Sequence, residues 1–178
     1  GHGRALSDSH LELPVVDAPL QDLEQTDFAP FAALADAPMA MTAHVVYSAI
    51  DEEAPCTLSA KVIGDVVRKQ LGFDGLLMSD DLSMKALDAS LTQIVGEELS
   101  NFRSSMHARG ELAVKAGCDV LLHCNGDMEE MKQVADVAGI LKGRPEKRAQ
   151  RALSFQRAPD DFDVAEAERV LDSMMAMA

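Results

Sequence analysis

Two adjacent acids stand where a buried strand should end. In Gly72-Phe73-Asp74-Gly75-Leu76-Leu77-Met78-Ser79-Asp80-Asp81-Leu82-Ser83-Met84 an apolar stretch runs into the polar turn Ser79-Asp80-Asp81. The carboxyl ends of parallel strands are where α/β folds assemble their active sites. The same residue types also suit a plainer task, since Ser79, Asp80 and Asp81 are all good caps for a helix beginning near Leu82. Two neighbouring acids accommodate both readings, with Asp81 capping and Asp80 directed into the mouth of the fold.

A second constellation opens the chain, Gly1-His2-Gly3-Arg4-Ala5-Leu6-Ser7-Asp8-Ser9-His10. In Asp8-Ser9-His10 the carboxylate can accept a hydrogen bond from one imidazole nitrogen, which fixes the tautomer and raises the basicity of the other nitrogen. That is a device for acid–base chemistry. Taken alone, the tripeptide is also an ordinary solvated Asx-turn.

The elements that must position these groups are legible from periodicity. Residues 1–21, rich in Gly, Ser, Asp and Pro, read as a long loop, followed by a short helix from Asp22 to about Leu34 that stops before Pro38. Met39 to Val46, Asp74 to Met78 and Asp119 to Cys124 read as three buried strands. Between them, Leu58 to Leu71 reads as a helix capped by Thr57, with Val62, Ile63, Val66, Val67 and Leu71 on one face and Gly72 at its end. Thr92 to Ala116 is expected to be the longest helix, stopped by Gly117. Further helices are expected over Met128 to Leu141, near Glu146 to Arg157, and over Val164 to Met177. Alternating strands and helices at this spacing imply α/β architecture with parallel strands and right-handed crossovers. Three parallel strands leave open edges and uncovered faces, so more sheet is expected elsewhere.

Composition narrows the function. The 178 residues carry 16 Lys plus Arg against 30 Asp plus Glu, a formal charge of −14, which repels polyphosphates and disfavours nucleic acid as a partner. No apolar run approaches the roughly 20 residues that span a bilayer, so no membrane partner is expected. Cys56, Cys118 and Cys124 form neither a disulfide framework nor zinc-finger spacing, so no metal is expected and a reducing cytoplasm suits the chain. The start at Gly-His-Gly, without Met, reads as a piece of a longer product.

Taken in order, Gly-His-Gly, Ser-Asp-Ser-His-Leu-Glu-Leu-Pro, Met-Thr-Ala-His-Val-Val-Tyr and Gly-Phe-Asp-Gly-Leu-Leu-Met-Ser-Asp-Asp-Leu-Ser-Met resemble glycoside hydrolase family 3, and within it the NagZ-type bacterial β-N-acetylglucosaminidase branch, over Gly1 to at least Gly126. The resemblance implies a (β/α)8 barrel of which this chain is the C-terminal half, about strands 6–8, incomplete as given. Residues 1–21 would be a catalytic loop and 158–178 a C-terminal helix. It implies Asp80 as glycosyl nucleophile, with His10 as general acid/base oriented by Asp8. The substrate-binding residues would lie mostly upstream of Gly1.

The implied reaction is cleavage of terminal β-linked N-acetylglucosamine with retention, on peptidoglycan-derived anhydro-muropeptides and without cofactor. An imidazole in place of a second carboxylate repels an anionic acceptor less, so phosphorolysis stands beside hydrolysis. A β-glucosidase or β-xylosidase of the same family fits less well, because those relatives usually carry Ser-Asp-Trp after the strand and this chain has no Trp. The rival from another class is a non-catalytic fragment or interaction module, since a (β/α)8 barrel needs about 250 residues.

Other residues admit plainer roles. His44 suits either the pocket wall or a buried hydrogen-bonded position. His123 and Cys124 lack the partners for a metal site. His107, Met174, Met175 and Met177 suit core or interface packing, and Asp51-Glu52-Glu53 and Asp160-Asp161 suit solvated loops.

Overall fold

Among the described residues five short strands form where β-branched and long apolar residues cluster: β1 (Val15–Val16), β2 (Met39–Met41), β3 (Val46–Tyr47), β4 (Leu76–Asp81) and β5 (Val120–Leu122). The computed structural model describes residues 3–159 and 161–176, so Gly1, His2, Asp160, Met177 and Ala178 lie outside the described residues. β2, β4 and β5 make a parallel sheet with β4 in the centre, and β1 pairs in parallel with β3 in a second, two-stranded sheet. The register sets Met39, Ala40 and Met41 opposite Leu76, Leu77 and Met78. On the other side Met78 faces Val120 and Asp81 faces Leu122, with an irregularity between them.

Strand alternation separates the faces of the larger sheet. Leu77, with Ala40 and Leu121 beside it, packs into a core with Ile63, Phe73, Leu87, Met106 and Ala113 from the surrounding helices. Met39 and Met41, which alternate with Ala40, are 47% and 49% exposed, leaving an uncovered apolar surface. A second core joins Val16, Leu23, Phe28, Val45 and Val66. There the rings of Phe28 and Tyr47 meet edge to face at 5.9 Å.

The entry to β4 needs glycine. A Cβ on Gly75 would lie 2.5 Å from Phe73 Cζ and 2.6 Å from the Ala37 carbonyl. Arg68 caps this entry by donating to the Phe73 and Gly75 carbonyls at 3.1 and 2.8 Å. Its other amino group donates to Asp119 Oδ2 at 2.8 Å, and the same oxygen accepts the Leu77 amide at 2.9 Å. Arg148 holds Asp119 Oδ1 at 2.9 Å. One buried carboxylate thus ties the starts of β4 and β5 to two helices.

Several expectations are corrected. The stretch from Met39 to Val46 is not one strand: after Met41 the chain leaves the sheet, and Val46 pairs with Val15 instead. Residues 1–21 are not loop throughout, since they contain β1 and the start of the Leu20–Asp22 helix. The helix expected over Thr92 to Ala116 is two helices, Ala86–Val95 and Ser105–Ala116, with a 3₁₀ stretch Gly96–Asn101 between them. Gly96 turns the chain at φ +49°, and Ser104, in extended backbone, caps the second helix by accepting the His107 amide at 3.0 Å.

The Leu58 to Leu71 segment is largely a π-helix, Val62–Gln70, capped by Ser59 Oγ rather than Thr57. Later helices are shorter than expected, Met128–Ala138, Arg144–Leu153 and Val164–Met175. Met174 and Met175 are 66% and 69% exposed and so are not core. Asp51 is buried rather than solvated, accepting from Ser59 Oγ at 2.6 Å.

Candidate active site

β4 continues through both acids, so Asp80 and Asp81 are strand residues and not turn residues. Neither caps a helix. The next helix begins only at Ala86, with Lys85 at its cap position and no capping side chain. The expected capping role of Asp81 is therefore replaced by another. Its Oδ1 accepts the amides of Ser83 at 3.0 Å and Cys124 at 3.1 Å, while Oδ2 accepts Ser83 Oγ at 2.6 Å. Burial opposes ionisation of Asp81, but these hydrogen bonds outweigh it and hold its pKa below the ordinary carboxylate value. Asp81 thereby clamps the ends of β4 and β5 together.

Asp80 is left free for chemistry. Its Oδ1 accepts the Asp81 amide at 2.8 Å, and Oδ2 has no hydrogen-bond partner among the described residues. Its own amide donates to Thr42 Oγ1 at 3.2 Å, the first link of a buried chain. Thr42 Oγ1 lies 2.8 Å from Thr57 Oγ1, which lies 2.8 Å from His44 Nδ1, and His44 Nε2 lies 2.8 Å from the Asp81 carbonyl. A carbonyl only accepts, so Nε2 carries the proton; a neutral ring then accepts at Nδ1 from Thr57, which accepts in turn from Thr42. The other acceptor for the Thr57 proton, the Ala43 carbonyl, is farther away at 3.3 Å.

Burial pushes the pKa of His44 below its ordinary value of 6.5, which keeps the ring neutral as this chain requires. His44 is fully buried and its two nitrogens are spent on fixing the strand tip, so it belongs to the scaffold rather than to a pocket wall. The Thr42-x-His44 pattern at the end of a strand is the signal in the sequence that could have found this network.

Arg109 was not anticipated either. Only 5% exposed, it reaches from the Ser105–Ala116 helix to the carbonyls of Leu82 at 2.7 Å and Met84 at 3.2 Å and pairs with Asp88. The turn that follows the two acids is thus held from beneath by a buried guanidinium.

The opening loop comes to the same end of the sheet. The Ser9 carbonyl accepts the Ala86 amide at 3.3 Å, and Ser9 itself is 1% exposed, so the residue between Asp8 and His10 is anchored beside the exit of β4. Arg4 anchors the start of the loop through Asp27 at 2.7 Å. Asp8 Oδ1 lies 2.8 Å from His10 Nδ1 and also accepts the His10 amide at 3.0 Å. An ionised carboxylate cannot donate, so Nδ1 bears hydrogen and Nε2 is the nitrogen left to exchange a proton with a ligand.

The hydrogen bond to Asp8 and its charge raise the pKa of His10 above 6.5, and the charges of Asp80 and Asp81 act in the same direction. The imidazole thus lies within the electrostatic reach of the strand-tip acids while its side chain remains 74% exposed. All three sequence-predicted site residues gather at one end of the sheet.

The remaining candidates stand aside. His123 Nε2 meets Glu130 Oε2 at 2.8 Å, and Asn125 donates to the same oxygen at 2.7 Å, so this imidazole packs against the Met128–Ala138 helix. His107 lies 3.8 Å from Glu111 on its own helix. Among the described residues no group of three His, Cys, Asp or Glu side chains converges to hold a metal ion. Among them, too, no helix is long and apolar enough to cross a membrane.

This geometry defines an α/β unit with parallel sheets at one end of which Asp8, His10, Asp80 and Asp81 come together. Residues 1–155 match the glycosyl hydrolase family 3 N-terminal domain, and the chain belongs to that family. A beta-hexosaminidase of Chromobacterium violaceum is 34% identical over 177 residues, covering 94% of this chain and 46% of that protein. One from Pasteurella multocida is 39% identical over 148 residues, covering 82% and 38%. NagZ from Neisseria gonorrhoeae, solved in complex with N-trifluoroacetyl-D-glucosamine, superimposes with a TM-score of 0.63 at 30% identity, over 85% of this chain and 40% of that one. A family 3 beta-N-acetylglucosaminidase from Paenibacillus sp. gives 0.65 at 28% identity, over 92% and 32%. The chain spans less than half the length of these relatives.

Proposed function

We propose that the polypeptide carrying this sequence is a retaining exo-β-N-acetylglucosaminidase, with Asp80 as nucleophile and His10, oriented by Asp8, as general acid/base. The observation that carries the proposal is the anchored loop: Ser9 docks beside the exit of β4 and His10, clamped by Asp8, feels the charges of Asp80 and Asp81. In the first step an Asp80 oxygen bonds to the anomeric carbon, the glycosidic C–O bond breaks, and the His10 Nε2 proton goes to the departing oxygen. Water then attacks the same carbon, gives its proton back to Nε2, and releases Asp80. The raised pKa of His10 favours the protonated ring that the first step needs.

The names of the relatives support the substrate class: beta-hexosaminidases by sequence, and a NagZ solved with an N-acylated glucosamine. We read the three-stranded sheet as about strands 6–8 of a (β/α)8 barrel, with the exposed Met39 and Met41 facing strands that this chain does not contain. The favoured substrates are peptidoglycan-derived anhydro-muropeptides met in the cytoplasm during cell-wall recycling.

The test uses the whole polypeptide and a nitrophenyl β-N-acetylglucosaminide. Asp80→Ala should lower turnover by at least about 10³-fold, with a first-formed product of β configuration in the unsubstituted protein. Turnover undiminished by Asp80→Ala would overturn the assignment. The uncovered apolar sheet face favours a second reading for the isolated chain, that of an inactive piece requiring a complementary partner. Activity confined to the longer polypeptide distinguishes the two.

A further inference from the structure

At the opposite end of β4 the Arg144–Leu153 helix turns one strongly basic face toward a concavity of ≈ 430 Å³. Arg144, Lys147, Arg148 and Arg151 line it together with a single acid, Asp74. Their spacing of three, four and seven residues stacks them on one side of the helix, where like charges repel each other. A chain with only 16 basic residues and a net charge of −14 has thus concentrated a quarter of its cations around one hollow.

The acids within reach do not neutralise it. Arg148 is fully engaged, with Asp74 Oδ1 at 2.7 Å and Asp119 Oδ1 at 2.9 Å. Arg151 meets Asp74 Oδ2 at 3.3 Å and the Asp74 carbonyl, yet its side chain remains 48% exposed. Asp119 is already shared with Arg68. Arg144 and Lys147 have no acidic partner among the described residues. Four positive charges against the one of Asp74 leave a net +3 around the hollow.

We propose that this hollow is a binding site for a small, multiply charged phosphate group, held chiefly by Arg144, Lys147 and the exposed edge of Arg151. Guanidinium forks match phosphoryl oxygens in pairs, and the ammonium adds a compact charge. The size of the hollow admits a diphosphate, while the negative surface elsewhere repels an extended polyanion. The site lies at the sheet end away from Asp80 and does not depend on the glycosidase reading.

Calorimetric titration of the whole polypeptide with pyrophosphate tests the site, and a parallel titration with a nucleoside diphosphate distinguishes the free anion from one carried by a nucleotide. Binding should weaken steeply with added salt. In the double variant Arg144→Gln, Lys147→Gln it should weaken by about 10- to 100-fold, the loss of one or two charged hydrogen bonds. Neither residue supports another element, so the melting temperature of that variant without anion should not fall. Pyrophosphate bound equally by the variant, or not bound at millimolar concentration by the unsubstituted protein, overturns the assignment.

Discussion

Replacing His44 with alanine should loosen the strand tip without touching a group that meets substrate. The imidazole fills a fully buried space and satisfies two groups, the Asp81 carbonyl through Nε2–H and the Thr57 hydroxyl through Nδ1. Neither group is left without a partner, since the Asp81 carbonyl also accepts the Met84 amide at 3.2 Å and Thr57 can turn to the Ala43 carbonyl at 3.3 Å. Losing the two hydrogen bonds, each worth about 0.5–1.5 kcal/mol, costs about 1–3 kcal/mol. Domains are stable by about 5–15 kcal/mol, so the variant should still fold. With a urea slope of about 1–3 kcal/mol per molar, the unfolding midpoint of the whole polypeptide should drop by on the order of 1 M.

Turnover should fall as well. Asp80 hangs on the same chain through Thr42, and displacing a reacting group by about 1 Å costs on the order of 10²-fold. The pH dependence carries its own sign. Because burial depresses the folded-state pKa of His44 below 6.5, the unfolded chain binds the extra proton first; native stability is full above 6.5 and declines as the pH falls below it. His44→Ala should flatten that decline. A midpoint and turnover equal to those of the unsubstituted protein would refute the network as drawn.

Asp8→Asn removes the chief cause of the raised His10 pKa, so the alkaline limb of kcat/KM, where the acid form is lost, should move down toward 6.5 and the rate should fall by about 10²–10⁴-fold; a pH–rate profile measures both. Asp119→Ala leaves Arg68, 16% exposed, without its carboxylate and takes one of two acids from Arg148, which keeps Asp74, and should destabilise the fold by about 3–5 kcal/mol in urea unfolding. Gly75→Ala drives a methyl group into Phe73 and the Ala37 carbonyl and should cost about 1–3 kcal/mol by thermal denaturation, with substrate affinity less affected than yield of folded protein. Phosphate added to the glycosidase assay should yield sugar-1-phosphate if the cationic His10 admits an anionic acceptor; its absence from the products assigns the second step to water alone.

Much of the site was legible because chemistry of this kind is written locally. The tripeptide Asp8-Ser9-His10 brings its carboxylate and imidazole together across two residues, and the apolar run before Asp80 announces a strand whatever surrounds it. The same locality identified the α/β alternation, the parallel strands and the family. The errors fell where one particular contact, near or far along the chain, overrode a good average. Thr92 to Ala116 is helical by composition, but Ser104 offers its hydroxyl to an amide three residues ahead and starts a new helix there. Asp81 is a fine cap by residue type, yet the amides that came to its carboxylate belong to Ser83 and to Cys124, 43 residues away.

Alone, the sequence determined which residues carry charge and ionisable protons and placed the strands that precede Asp80 and Cys124, because these follow from side-chain chemistry and from runs of apolar residues. Tertiary structure decided their company. It settled His44 as a neutral buried strut rather than a pocket wall, gave Arg109 and Asp119 their scaffolding roles, and brought Asp74 against the row of cations on the Arg144–Leu153 helix. Each of those outcomes depends on burial and on contacts between residues far apart in the chain, and neither quantity exists until the backbone has closed on itself.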